Sequence, residues 1–231
     1  MAGVTAVAHR GDPYLARENT LASFASAIAA GADAIELDVR LTADGVPVVL
    51  HDPTLERLWG HRAAVADRTA AEVAALTGGG VPTLAAALAV TAPVRTLIDL
   101  PERSPALAGA AVAAARAAGA ADRVYYCGDP GALRAVRAAD GSSEIALTWK
   151  RTGRPRPSLL AELRPRWLNY RFGLVTRDTV ERAAAEGYEV AAWTADSRRT
   201  MRRLAALGVT AITTNRIATL RAVLADGARR G

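Results

Sequence analysis

A single cysteine, Cys127, in 231 residues excludes an internal disulfide, and with three histidines the chain offers little of the Cys and His that a structural zinc site wants. No run of 18 apolar residues occurs, so no membrane-spanning helix is expected. The chain opens directly into a strand-like run rather than a signal-peptide apolar region, and a cytoplasmic location is expected. Aromatic residues are few, 5%, which argues against a long apolar groove for a large lipid. Lysine is almost missing: Lys150 is the only one among 29 Lys and Arg side chains, a bias that with abundant Arg and Ala suits a GC-rich bacterial genome. The formal charge of +6 fits nucleic acid, membrane headgroups or an anionic substrate. Helix-turn-helix, zinc-knuckle and RNA-binding signatures are absent, however, so nucleic acid is not an expected partner. Arg198, Arg199, Arg202 and Arg203 fall on several faces of one helix and read as solvated surface. Gly78-Gly79-Gly80 lacks the Lys-Ser/Thr of a phosphate-binding loop and reads as a linker.

What the chain does have is a regular alternation of apolar runs and helical stretches. Strands are expected to end near His9, Val39, Leu100, Cys127, Trp149, Tyr170, Thr194 and Asn215, with helices between them. Helix one is expected over 21–30, capped by Asn19 or Thr20, with Leu21, Phe24, Ala25 and Ile28 as its buried stripe and Gly31 beyond its end. A further apolar run, Val46–Leu50, follows the second strand after only Arg40–Gly45, too short a gap for a crossover helix. With the Asp44-Gly45 turn signal it reads as a hairpin. Eight βα units plus this hairpin excursion after strand 2 predict a single α/β domain over 1–231, a TIM (β/α)8 barrel.

The chemistry-bearing residues cluster early. His9-Arg10-Gly11 is followed by Glu18-Asn19-Thr20, then Glu36-Leu37-Asp38-Val39, then Thr42-Ala43-Asp44-Gly45, then His51-Asp52. Glu36 and Asp38, two residues apart on a strand, share a face. Two adjacent carboxylates repel, and burying them asks for a positive partner. Asp99, inside the apolar run Thr96–Leu100, is a third such acid. An all-oxygen set of this kind suits a hard divalent cation, Mg²⁺ or Ca²⁺. His9 and His51, each at the end of a strand-like run, add an acid and a base. His61 and Cys127 carry no such signal and read as a surface residue and a buried thiol.

These motifs resemble those of the glycerophosphodiester phosphodiesterase family. Weaker similarities continue through Val81-Pro82-Thr83-Leu84, Ala192-Trp193-Thr194, Leu207-Gly208-Val209 and Ile212-Thr213-Thr214, so the resemblance spans nearly the whole chain. It implies metal-dependent hydrolysis of a small phosphodiester to glycerol 3-phosphate and an alcohol. His9 and His51 would be the general acid–base pair, and Glu36, Asp38 and Asp99 the metal ligands. Arg10 would bind the phosphate, Glu18 and Asn19 would brace or line the site, and Trp193 would border the substrate. Whether His9 acts as base or nucleophile, and whether a cyclic phosphate forms first, stays open. So does the oligomeric state.

Three departures stand out. The family's Glu-x-Lys at the third ligand is Asp99-Leu100-Pro101 here, so a phosphate-facing lysine is lost, and Asn215 stands where the last strand often ends in Asp. Lys150, ending the run Ile145–Trp149 one strand further on, is the candidate replacement, and the loop Lys150–Arg156 beyond it is rich in Arg and Pro. Two alternatives remain: lysophospholipase D-like cleavage of a larger lipid, and a barrel that binds a phosphate ligand without turning it over.

Overall fold

Alternation of side chains along short strands sets the architecture. The structure, a computed structural model, describes residues 3–228. Its strands are β1 (Thr5–His9), β2 (Ala34–Leu41), β3 (Pro47–Val49), β4 (Arg95–Leu100), β5 (Val124–Gly128), β6 (Glu144–Trp149), β7 (Trp167–Arg171), β8 (Glu189–Trp193) and β9 (Ala211–Thr214). All but β3 are parallel, in the order β1-β9-β8-β7-β6-β5-β4-β2, and pairing of β1 with β2 closes the ring into the expected eight-stranded barrel. The predicted hairpin is present too: β3 runs antiparallel to β2 outside the ring, with Val39 opposite Val49. Thr42 pins its turn, its hydroxyl donating to Asp44 Oδ1 and accepting from Val46 N–H.

Inward and outward faces separate cleanly. Ile35, Leu37 and Val39 of β2 and Ile98 and Leu100 of β4 point outward into the main core beneath the helices. The barrel interior is filled from alternate positions, mostly by small residues such as Ala34, Ala146, Ala191 and Ala211, with Tyr125 and Trp167 as the large exceptions. The Arg95 guanidinium lies 4.4 Å over the Tyr125 ring and 5.4 Å from the Trp167 ring, and its pairing with Glu144 (2.8 Å) satisfies it at the strand N-terminal end of the barrel. The hairpin and the segment after it form a satellite core around Val48, Leu50, Leu55, Val65, Val73 and Val81.

Helix boundaries follow their caps. The first helix runs Leu21–Ala29 with Thr20 accepting from Ser23 N–H, Pro105–Ala117 is capped by Ser104, and Arg198–Leu207 by Ser197. The buried stripe of the first helix differs from expectation. Leu21 and Ala25 are exposed, and Ser23, Phe24 and Ala27 are buried. The Ser23 hydroxyl explains the rotation: it donates to the Arg10 carbonyl (2.8 Å) and accepts from Asp12 N–H (2.8 Å), so a polar side chain faces the barrel fully satisfied. Between β7 and β8 a helix runs Arg177–Ala185 under a Thr176 cap. Gly78, expected in a linker, is instead the left-handed C-cap of the helix Ala70–Thr77.

Candidate active site

The site is assembled at the strand C-terminal ends, beginning where β1 stops. Arg10 turns sharply there, with φ 57°, followed by Gly11 at φ 85°. A Cβ on Gly11 would stand 2.2 Å from Ser23 Oγ, so only glycine lets the loop close onto the first helix. The Arg10 N–H reaches both the Glu36 carbonyl (2.9 Å) and Glu36 Oε2 (3.0 Å). Asn19, also left-handed at φ 58°, donates its backbone N–H to the Arg10 carbonyl (3.0 Å) and its side-chain amide to Asp38 Oδ2 (2.8 Å). A two-residue bracket across one loop thus fixes both carboxylates of β2. The Arg10 side chain pairs with Glu18 (2.9 Å), and its Nε lies 3.0 Å from Asp38 Oδ2 without a well-directed hydrogen bond. Glu18 also takes Arg57 (2.6 Å), so it buttresses the site from behind.

Strand register brings the acids together. Glu36 sits opposite His9 on β1, and Asp38 opposite Asp99 on β4. Ligand atoms of Glu36, Asp38 and Asp99 all lie within 4.8 Å of one another. Burial, reinforced by Asp38 and Asp99, pushes the Glu36 carboxyl well above its ordinary range. Burial and the neighbouring Asp38 push Asp99 up to about 6. The Cys127 thiol, raised by burial and by Asp99, remains protonated and donates to Asp99 Oδ1 (3.3 Å). Three crowded carboxylates with one guanidinium between them are electrostatically incomplete, and their donors are all oxygen. That set fits a hard divalent cation.

The histidines face this cluster with fixed tautomers. His9 Nδ1 is 2.8 Å from Asn215 Oδ1, while the Asn215 amide donates to Asp196 Oδ2 (2.8 Å). Because the amide nitrogen is committed to Asp196, Asn215 can only accept from His9. The His9 proton is therefore on Nδ1, and Nε2, 3.9 Å from Glu36 Oε2, presents a lone pair to the cleft. Burial first, and Arg10 second, lower the His9 pKa below its ordinary value. His51 follows the hairpin, whose Leu50 N–H bonds the Asp38 carbonyl (3.0 Å). Arg40 donates to the His51 carbonyl, and Asp52 accepts from His51 Nδ1 (2.7 Å), again leaving Nε2 for the cleft.

These groups open into a cleft of about 700 Å³. It is lined by His9, Arg10, Glu36, Asp38, His51 and Asp99 on one side, and Lys150 and Trp193 also face it. Lys150 Nζ lies 5.6 Å from the centre of the Trp193 ring, and its charge acts on Asp99. Glu18 and Asn19 stand behind the wall, as braces. Sequence reasoning missed the Asn215–Asp196 relay, although Asn215 had drawn notice as a departure from the family pattern. It also missed Asn169, whose buried Oδ1 lacks a partner at the cleft wall. Both depend on contacts between strand ends distant in sequence, which no local spacing announces.

A closed parallel barrel with an acid-rich, two-histidine cleft at the C-terminal ends of its strands places the chain among the TIM-barrel proteins. The glycerophosphoryl diester phosphodiesterase family model matches residues 9–219, and the chain belongs to that family. A glycerophosphodiester phosphodiesterase of Caldanaerobacter subterraneus is 48% identical over 73 residues, which is 32% of this chain and 30% of that protein, so the match spans under a third of that curated relative. Among solved structures, a glycerophosphodiester phosphodiesterase of Parabacteroides distasonis superposes with a TM-score of 0.84 at 25% identity, covering 98% of this chain and 99% of that one. A phosphodiesterase of Oleispira antarctica, in complex with the product sn-glycerol-3-phosphate, gives 0.86 at 23% identity over 96% of this chain and 97% of that one. No helix among the described residues is long and apolar enough to cross a membrane.

Proposed function

We propose that this protein is a metal-dependent phosphodiesterase that hydrolyses small glycerophosphodiesters to glycerol 3-phosphate and an alcohol. The observation that carries the reading is the pairing of a three-carboxylate cluster with two histidines whose Nε2 atoms both face one cleft. The family membership and the glycerol 3-phosphate bound by the Oleispira antarctica protein support the same substrate class.

Glu36, Asp38 and Asp99 would hold the cation, Mg²⁺ or Ca²⁺. When bound, it supplies charge neutralisation at the non-bridging phosphate oxygens. Arg10 and Lys150 share that task from opposite walls, and Lys150 takes the place of the family lysine lost at Pro101. His9, neutral because burial lowers its pKa, accepts a proton at Nε2 from the attacking oxygen. His51 acts as the imidazolium: with Nδ1–H held by Asp52, it delivers its second proton from Nε2 to the departing alkoxide and is left neutral. Trp193 walls the alcohol side, and Glu18 and Asn19 keep Arg10 and Asp38 in register. A non-catalytic binding barrel has no use for two tautomer-fixed imidazoles on one phosphate-sized cleft, and this weighs against it.

Product identification tests the proposal. Phosphorus NMR of glycerophosphoethanolamine incubated with the protein should show glycerol 3-phosphate when Mg²⁺ or Ca²⁺ is present and none with a chelator. Phosphoethanolamine as the phosphorus product, or unchanged diester with either metal, would overturn it.

A further inference from the structure

The cleft has two electrostatically different walls. The ring order runs β1, β2, β4, β5, β6, β7, β8, β9, which puts the end of β6 across the mouth from the end of β1. His9, Arg10 and the three carboxylates occupy the arc β1-β2-β4. The facing arc is lined by cations: Arg103 after β4, Arg134 after β5, and Lys150, Arg151 and Arg156 at and after β6. Asp129 is the one acid lining this arc among the described residues, and it is already engaged, accepting from Gly131 N–H (2.6 Å) as a helix cap with Arg103 3.9 Å away. Arg134 is neutralised by a two-oxygen contact with Glu162 (2.8 Å each). Lys150, Arg151 and Arg156 have no ion-pair or hydrogen-bond partner for their side-chain charges among the described residues.

This wall is unsuited to a cationic alcohol. A quaternary ammonium is recognised by an open aromatic face, yet the Trp193 face is already beneath the Lys150 ammonium. Trp149, the other indole of the cleft, is tied by its N–H to the Gly153 carbonyl (2.9 Å) within the same cationic loop. With Lys150 serving the scissile phosphate, the unpaired Arg151 and Arg156 on the same wall call for further negative charge on the substrate. Resting on the phosphodiesterase reading above, we propose that Arg151 and Arg156 form a subsite for a second phosphate on the alcohol, so that the preferred substrates are glycerophosphodiesters of phosphorylated alcohols. Lys150 serves the scissile phosphate, and the two arginines beyond it set specificity. Guanidinium forks match phosphate geometry, and both arginines line the same cleft as the carboxylates, beyond Lys150 in the loop that follows β6.

The test compares kcat/KM for three probes with Mg²⁺ at low salt: glycerophosphocholine, glycerophosphoglycerol, and glycerophosphoglycerol carrying a terminal phosphate. The expected order places the phosphorylated diester first, by roughly tenfold or more over glycerophosphocholine, the size of one charge-assisted hydrogen bond. That preference should shrink as salt is raised. In Arg151→Gln/Arg156→Gln most of the preference should vanish through KM for the phosphorylated probe. Turnover of the unsubstituted diesters with no preference for the phosphorylated one overturns this subsite and leaves the phosphodiesterase reading standing. A preference unchanged in the double variant also overturns it. No turnover of any of the three diesters overturns both.

Discussion

Asp99→Asn should make the metal-free protein more stable. Asp99 is pushed up to about 6 by burial and by Asp38, against an ordinary value of 3.8. The folded state therefore holds the Asp99 proton at pH values where the unfolded chain has released it. Stability from this group is intact below the ordinary aspartate range, falls as pH rises toward 6, and is fully lost above it. The difference, about two pKa units, corresponds to roughly 3 kcal/mol at neutral and alkaline pH. Asparagine removes the charge and keeps an oxygen for the Cys127 thiol now bonded to Oδ1 at 3.3 Å. In chelator at pH 8 the variant should melt several degrees higher, on the order of 6–12 °C for a chain of this size. At pH 4 the gap should shrink to about 1–2 °C. With Mg²⁺ or Ca²⁺ the order should reverse, because the native triad gains from the cation and the variant gains less. A variant that melts at or below the native protein at pH 8 in chelator would refute the idea that the carboxylates are held together against their own repulsion.

Three other outcomes follow from the site. Because burial and Arg10 lower the His9 pKa, the acid limb of kcat/KM should have its midpoint below pH 6.5; a limb at higher pH would remove His9 as the base. Asn215→Asp places a carboxylate against His9 Nδ1 and should move that limb upward, whereas Asn215→Leu frees the tautomer and should lower kcat roughly tenfold to hundredfold; unchanged profiles in both would show that the relay does not orient the ring. Lys150→Ala should lower kcat/KM by roughly tenfold or more on every diester, and equal turnover and affinity would return Lys150 to the surface.

The barrel was legible because its determinants are local. Each strand is a short apolar run, the turns carry Asp-Gly or Gly, and Thr20, Ser104 and Ser197 announce their helices. The carboxylate pair was legible for the same reason, since the two-residue repeat of a strand places Glu36 and Asp38 on one face. The buried face of the first helix was not, because apolar spacing favoured Leu21 and Ala25 while the Ser23 hydroxyl found two backbone partners in the barrel. The Asn215–Asp196 relay escaped for a different reason: it meets His9 only once ring closure sets β9 beside β1. The basic run Lys150–Arg156 was legible as a loop after a strand, but its place across the cleft from His9 exists only in the closed ring.

The most direct measurement is glycerol 3-phosphate release from glycerophosphocholine and glycerophosphoethanolamine by the native protein and by His9→Ala and Glu36→Gln, each shown to be folded by circular dichroism, with Mg²⁺, Ca²⁺ or chelator. Release that requires a divalent cation and is lost in both variants is the predicted result. Release that persists in chelator or in His9→Ala, or none from the folded native protein with either metal, would contradict the account.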